Sequence, residues 1–332
     1  MLTILRNLLI LFALAVTASA ATEENISRQL DVTSGGKLVV DVDFGTINVT
    51  SGADDKVVIE AYRKIDFGEE AKEKEYFAAA PVTIGQDGNT VTVRARYAKS
   101  KGFWSFGHSE MDARYTIRVP KRFETDLHTE GGDVIAGEIT GNATLKTSGG
   151  KLVFKHLEGT LTANTSGGSI EVEDCRGPIE IETSGGDITV ADGTGALNAK
   201  TSGGRIDVRN FSGDTEVRTS GGNLSLQRIT GRIIGKTSGG SIRASIPDAV
   251  VGDVRLETSA GNIDVFLPAT ATVDIEASAS VGEIFSLLPL ETSAVDREHL
   301  RGKINGGGKS VKLETSAGNI TIKPSSSELA NR

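Results

Sequence analysis

Between Ala143 and Ala244 apolar and polar positions alternate in short runs, and every run returns 18 residues later. Leu152, Ile170, Ile188, Ile206, Leu224 and Ile242 form one apolar column, and Phe154, Val172, Val190, Val208, Leu226 and Ala244 form another two residues on. A second pair reads Leu145, Ala163, Ile181, Ala199, Val217, Gly235 beside Ala143, Leu161, Ile179, Leu197, Thr215, Ile233. Alternation with period two marks strands with one buried face. A fixed period without insertions marks one unit stacked on copies of itself. Each rung then holds two short strands and two turns. Because every rung repeats the last in the same direction, the strands pair in parallel. The predicted fold is all-β: a single-stranded parallel β-helix (β-solenoid) of 18-residue, two-strand rungs. The general bias of parallel crossovers makes it right-handed.

Two glycine series punctuate the rungs. Thr-x-Gly-Gly begins at Thr129, Thr147, Thr165, Thr183, Thr201, Thr219 and Thr237, and a lone glycine recurs at Gly141, Gly159, Gly177, Gly195, Gly213 and Gly231. The threonines share the parity of the inward residues, so a stacked threonine ladder is expected, its hydroxyls bonding the next rung or the turn backbone. Serine is expected to bond turn amides, and the glycine pair to supply positive φ and close approach. The motif reads as a turn staple. Ice binding needs paired outward threonines. A calcium-binding repeat needs an acid in every turn, and only Asp133 and Asp187 follow a glycine pair. Leu157, Cys175, Phe211 and Ile229 fall in register at one corner, which makes Cys175 a small buried hydrophobe. Outward, Glu182 and Lys200 are placed to pair across rungs.

The flanks are less regular. Residues 1–20 carry Arg6, an apolar run and Ala18-Ser19-Ala20, the pattern of a cleaved signal peptide; an uncleaved anchor is the alternative. Residues 21–128 read as a β-rich N-terminal cap continuous with the solenoid, with strands at 37–42, 46–50, 57–62, 90–97 and 113–119. A helix is expected over 69–80, where Ala, Glu and Lys dominate before Pro81. Residues 129–245 are the regular solenoid. Residues 246–324 are irregular coils, with a loop near 287–305, and 325–332 form a disordered tail. Between Lys99 and Glu110 the only tryptophan joins two phenylalanines: Phe103, Trp104 and Phe106 are a candidate partner-binding loop, or fold back to cover the rod's end.

Composition narrows the function. The net charge of −8, or −9 without the leader, argues against nucleic acid. No later stretch is apolar enough to span a membrane. One cysteine allows no internal disulfide. His108, His128, His156 and His299 lack metal-ligand spacing, and no nucleophile elbow is present. No metal, cofactor or catalytic residue is expected.

The segments Gly45-Thr46-Ile47-Asn48-Val49 and Ile117-Arg118-Val119-Pro120, the Thr-Ser-Gly-Gly-x-Ile rungs and the closing Thr315-Ser316-Ala317-Gly318-Asn319-Ile320-Thr321-Ile322 together resemble a bacterial family of exported "putative adhesins". That family is also described as β-strand-repeat domains of unknown function. The resemblance covers most of the mature chain. It implies a parallel β-solenoid at or outside the cell envelope and supplies no catalytic residues.

The leading expectation is therefore a non-catalytic exported protein, periplasmic, at the cell surface or secreted, that binds an envelope or surface component, protein or polysaccharide. The alternative is a self-associating scaffold. A polysaccharide-acting enzyme, with an acid pair such as Glu171 and Glu173 on a strand face, ranks behind both.

Overall fold

The computed structural model describes residues 21–52, 55–96, 110–247, 249–296 and 298–325. Among the described residues the chain forms two facing sheets of 14 and 15 strands and one helix, Glu70–Ala79. In the regular region a seven-residue strand such as Leu152–Glu158 lies in the first sheet and a four-residue strand such as Leu161–Asn164 in the second. Each pairs in parallel with the residue 18 positions on, Leu152 with Ile170 and Leu161 with Ile179. The apolar columns read from the sequence meet in the gap between the sheets and are almost wholly buried. Leu157 and Cys175 stack at the expected corner, as do Phe211 and Ile229. At the intervening rung Gly193 leaves room for the Phe211 ring, which a Cβ there would meet at 2.6 Å. The outward column is less paired than expected: among the described residues no ion pair joins Glu182 to Lys200, whereas Lys155 meets Glu173 at 2.7 Å and Lys151 meets Glu171 at 2.6 Å.

One feature of the rung is written only partly in residue type. Glu138, His156, Asp174, Asp192, Asn210 and Arg228 all adopt left-handed backbone, φ 48–59°. Each sits one residue before the corner position and puts two successive residues outward, so the following side chain turns back into the core. The kink acts as a bulge repeated in every rung. Left-handed backbone costs roughly 1–2 kcal/mol for residues with a Cβ, least for Asn and Asp. Arg228→Asn is therefore expected to stabilise the chain by about 0.5–1 kcal/mol. A thermal melt that shows no rise would count against a strained corner.

Both ends of the rod are interleaved. At the N-terminal end the strands Gly36–Phe44 and Thr46–Ser51 form the rung next to Phe123–Gly131 and Val134–Thr140. The chain then runs outward through Lys56–Asp66, the helix and the hairpin Thr83–Asp87/Thr90–Ala95. It returns as the rung Thr90–Ala95/Glu110–Val119, outside the rung it had already made. Lys56–Asp66 pairs antiparallel to Glu110–Val119, and Thr22–Asp31 pairs antiparallel to Lys56–Asp66 and forms the sheet edge. At the other end, Val273–Val281 and Ile284–Ser286 form the outermost rung. The later strands Lys309–Ala317 and Ile320–Pro324 slot between that rung and Val254–Ala260/Ile263–Leu267. Residues 287–305, read from the sequence as a loop, instead hold the antiparallel strands Glu291–Val295 and His299–Ile304, the latter paired with Val273–Val281. Leu300 and Ile304 are buried there, so apolar burial offsets the polar composition.

Candidate binding site

The site grows out of the Thr-Ser-Gly-Gly corner. The threonine ladder is buried, as its parity requires: Thr147, Thr165, Thr183, Thr201, Thr219 and Thr237 are each at most 7 % exposed. Each hydroxyl is used twice. Thr183 Oγ1 donates to the Gly168 carbonyl of the preceding rung at 2.9 Å and accepts from the backbone of Gly186 at 3.3 Å. The same pair of bonds recurs at the other five. Two expectations are corrected. The serine side chains do not bond the turn amides; the threonines do, and the serines stack through their backbones, Ser184 N to the Ser166 carbonyl at 3.2 Å. Nor does the glycine pair carry positive φ in the six Thr-Ser-Gly-Gly copies from Thr147 to Thr237; in the first copy Gly132 does, at φ 130°. Positive φ lies instead at the other series, Gly141 to Gly231, while the second glycine of each pair is there for close approach.

After Thr237 the corner changes. From Ala143–Lys146 to Thr215–Arg218 the second-sheet strand ends before the threonine and Ile233–Thr237 ends on it, but Val254–Ala260 and Lys309–Ala317 run straight through it, as Val273–Val281 does through Ala279 at the same position. The step between bent and straight corners opens a groove of about 550 Å³. Two outward rows line it. One reads Arg218, Lys236, Glu257, Glu314 and Ser278 across five paired strands. Beside it, the serines of the corner bring Ser238, Ser259, Ser316 and Ser280 to the groove. Among the described residues, the side chains of Ser238, Ser259, Ser278, Ser280 and Ser316 make no hydrogen bond, so their hydroxyls are presented outward.

The charges, by contrast, are matched. Lys236 meets Glu257 at 2.6 Å, Arg255 also bonds Glu257, Lys312 meets Glu314 at 2.9 Å and Arg218 meets Glu216 at 2.7 Å. Burial pushes the Glu257 carboxyl upward, but the hydrogen bonds from Lys236 and Arg255 together outweigh it and hold it below its ordinary value. The carboxylate therefore stays ionised to lower pH than a free glutamate, and the groove keeps its charge pattern. No aromatic ring lines it. The sequence signal that could have found it is the change of period from 18 to 21 together with serine at alternate outward positions, Ser278 and Ser280.

The residues Phe103, Trp104 and Phe106 lie outside the described residues. Their stems do not: Thr90–Ala95 belongs to the second sheet and Glu110–Val119 to the first, so the connection replaces the Thr-Ser-Gly-Gly corner of that rung. At its root Arg96 donates to Asp41 at 2.7 Å, Glu130 at 2.9 Å and Asp43 at 3.2 Å, and its Nη2 lies 2.9 Å from His128 Nδ1. Three carboxylates thus converge on one guanidinium, which ties neighbouring strands together and reads as a brace. Among the described residues no group of His, Cys, Asp and Glu has the spacing of a metal site. The Cys175 thiol is 1 % exposed, and burial pushes its pKa up to about 11. It is expected to stay unalkylated by iodoacetamide at pH 8 in the native chain and to react promptly once the chain is unfolded. Rapid native labelling would contradict its placement.

A family described as Toastrack DUF4097 matches residues 35–323, most of the chain. The chain belongs to that family. Among curated protein sequences none matches. Three solved structures match at low identity. A "putative adhesin" from Bacteroides fragilis NCTC 9343 is 15 % identical, with 90 % of this chain and 97 % of that one covered and a TM-score of 0.34. A "putative cell adhesion protein" from Clostridium sporogenes ATCC 15579 is 12 % identical over 91 % and 100 %, with a TM-score of 0.23. A "putative lipid binding protein" from Parabacteroides distasonis ATCC 8503 is 12 % identical over 90 % and 97 %, with a TM-score of 0.36. At such scores no ligand or activity is carried across. No helix among the described residues is long and apolar enough to cross a membrane.

Proposed function

We propose that this Toastrack chain is an exported, non-catalytic protein that binds a polysaccharide of the cell envelope or cell surface in the groove at the change of corner. The observation that carries this reading is the lining: five of its thirteen residues are serines whose hydroxyls bond nothing among the described residues, and the charges around them are paired with one another. A surface of unsatisfied donors and acceptors without net charge suits a polyhydroxylated chain, and the groove runs across parallel strands that hold its serines ~4.8 Å apart. The leader-like first 20 residues support export. The triple variant Ser259→Ala, Ser280→Ala, Ser316→Ala is expected to lose tenfold or more in affinity for envelope polysaccharide, since a hydrogen bond contributes about 1 kcal/mol. Unchanged binding by the triple variant would sink the groove reading.

One feature supports the self-associating scaffold instead. The outermost rung exposes Val281 at 70 %, Leu287 at 65 % and Phe285 at 47 %, beside the short sheet edge Ile284–Ser286. Sedimentation across a range of concentrations separates the two readings: a persistent monomer counts against the scaffold.

A further inference from the structure

At the N-terminal end of the rod the helix Glu70–Ala79 packs over the first sheet and buries two charges. One is matched. Arg63, 1 % exposed, bonds Glu24 through two nitrogens, one at 2.8 Å, and donates to the Ala80 carbonyl at 2.6 Å. The other is Glu73, with no measurable exposure. Its carboxylate accepts from Thr22 Oγ1 at 2.6 Å and Thr22 N at 3.2 Å on one oxygen, and from Phe67 N at 2.8 Å on the other. The hydrogen bond from the Thr22 hydroxyl, with those from backbone amides, holds it ionised against the cost of burial. Yet among the described residues no Lys, Arg or His pairs with it. The neighbouring helix lysines are engaged elsewhere, Lys72 with Glu69 and Lys74 with Glu70, both at 2.5 Å. A buried carboxylate without a countercharge is costly, and such groups are normally paired.

The missing cation has a source one residue from the site. Thr22, which gives Glu73 both its hydroxyl and its amide, is the second residue after the leader's Ala18-Ser19-Ala20. We propose that Glu73 is the binding site for the mature chain's own α-ammonium at Ala21. The proposal rests on the export reading above. A leader peptidase adds water across the Ala20–Ala21 peptide bond, leaving a carboxylate on Ala20 and an amino group on Ala21, which takes up a proton near neutral pH. The residue step of ~3.8 Å puts that amino group within reach of the carboxylate already bonded to Thr22 N. Before cleavage the same nitrogen is a neutral amide and the buried charge is unmatched. Processing thus completes an ion pair that pins the edge strand Thr22–Asp31 beneath the helix. The edge of the first sheet and the Phe44, Phe67, Tyr76 and Phe77 cluster are locked only in the mature protein.

The test compares the exported chain, its start fixed by mass spectrometry, with the same chain carrying a short Gly-Ser extension on Ala21, each with and without Glu73→Gln. Blocking the amine is expected to lower the wild-type melting temperature by roughly 3–5 °C. It should also cut amide protection in residues 24–30 about tenfold. In Glu73→Gln the extension should change neither. A chain that starts at Ala21 but is indifferent to the extension overturns the anchor and leaves export standing. An exported chain that starts elsewhere overturns the anchor while export stands, and a chain that is neither exported nor cut overturns both.

Discussion

Gly186→Ala is expected to destabilise the fold strongly, while Gly185→Ala, one residue earlier in the same turn, leaves it nearly intact. A Cβ on Gly186 would lie 1.9 Å from the Gly168 carbonyl oxygen, 2.3 Å from its carbon and 2.6 Å from the amide of Ser169. All three are backbone atoms of the rung below, so no rotamer change relieves the clash. The rungs would have to separate. That separation also breaks the staple, because the same Gly168 carbonyl takes the Thr183 hydroxyl at 2.9 Å. A Cβ on Gly185 meets nothing nearer than 3.6 Å, ordinary contact. Neither position needs positive φ, so the contrast isolates close approach from backbone strain. In a stacked array stability is a sum of rungs and nearest-neighbour interfaces. Opening one central interface should cost roughly 3–5 kcal/mol, against about 0.5 kcal/mol for the neighbour. Denaturant unfolding of the two variants decides it, and comparable midpoints would refute the packing account.

How much of this was legible in the sequence depends on how far each feature is written in residue type. The columns from Leu152 to Ile242 and the ladder from Thr147 to Thr237 were, because burial demands apolar or small side chains and a fixed period repeats the demand. The helix at Glu70–Ala79 was, from its Ala, Glu and Lys and the proline behind it. The left-handed corner was legible only in part: His156, Asp174, Asp192 and Asn210 are types that tolerate it, whereas Glu138 and Arg228 are held there by stacking. The edge strand Thr22–Asp31 was missed because it mixes Ile26 and Leu30 with exposed polar neighbours. The groove was missed for a related reason. Its serines lie up to 78 positions apart, from Ser238 to Ser316, and only strand pairing brings them together.

The interleaved C-terminal end makes the last rung in sequence an interior rung in space, and this gives truncation an outcome that a simple stack would not. Thr258-Ser259-Ala260-Gly261-Asn262-Ile263 and Thr315-Ser316-Ala317-Gly318-Asn319-Ile320 are identical and lie directly against each other, Thr258 opposite Thr315 and Ile263 opposite Ile320. Asn262 Oδ1 accepts from Asn319 N at 2.8 Å, and Asn319 Oδ1 in turn accepts from Glu283 N at 3.0 Å, so the repeated asparagine joins three rungs. Thr315 repeats the staple, donating to the Gly261 carbonyl at 3.0 Å. Ending the chain after Gly308 removes the layer between Val254–Leu267 and Val273–Ser286. The outer rung then loses its parallel partners, leaving the hairpin paired only to an unsupported strand, and Val311, Leu313, Ile320 and Ile322 vanish from the core. Residues 273–304 are therefore expected to lose amide protection and become protease-sensitive, although none of them is deleted. The rungs from Leu152 to Ile242 should keep theirs, since each depends only on its neighbours. Had the rod been built in sequence order, the same truncation would strip one terminal rung and leave residues 273–304 protected. Hydrogen exchange on the truncated chain distinguishes the two, and retained protection across Val273–Val281 would overturn the interleaved topology.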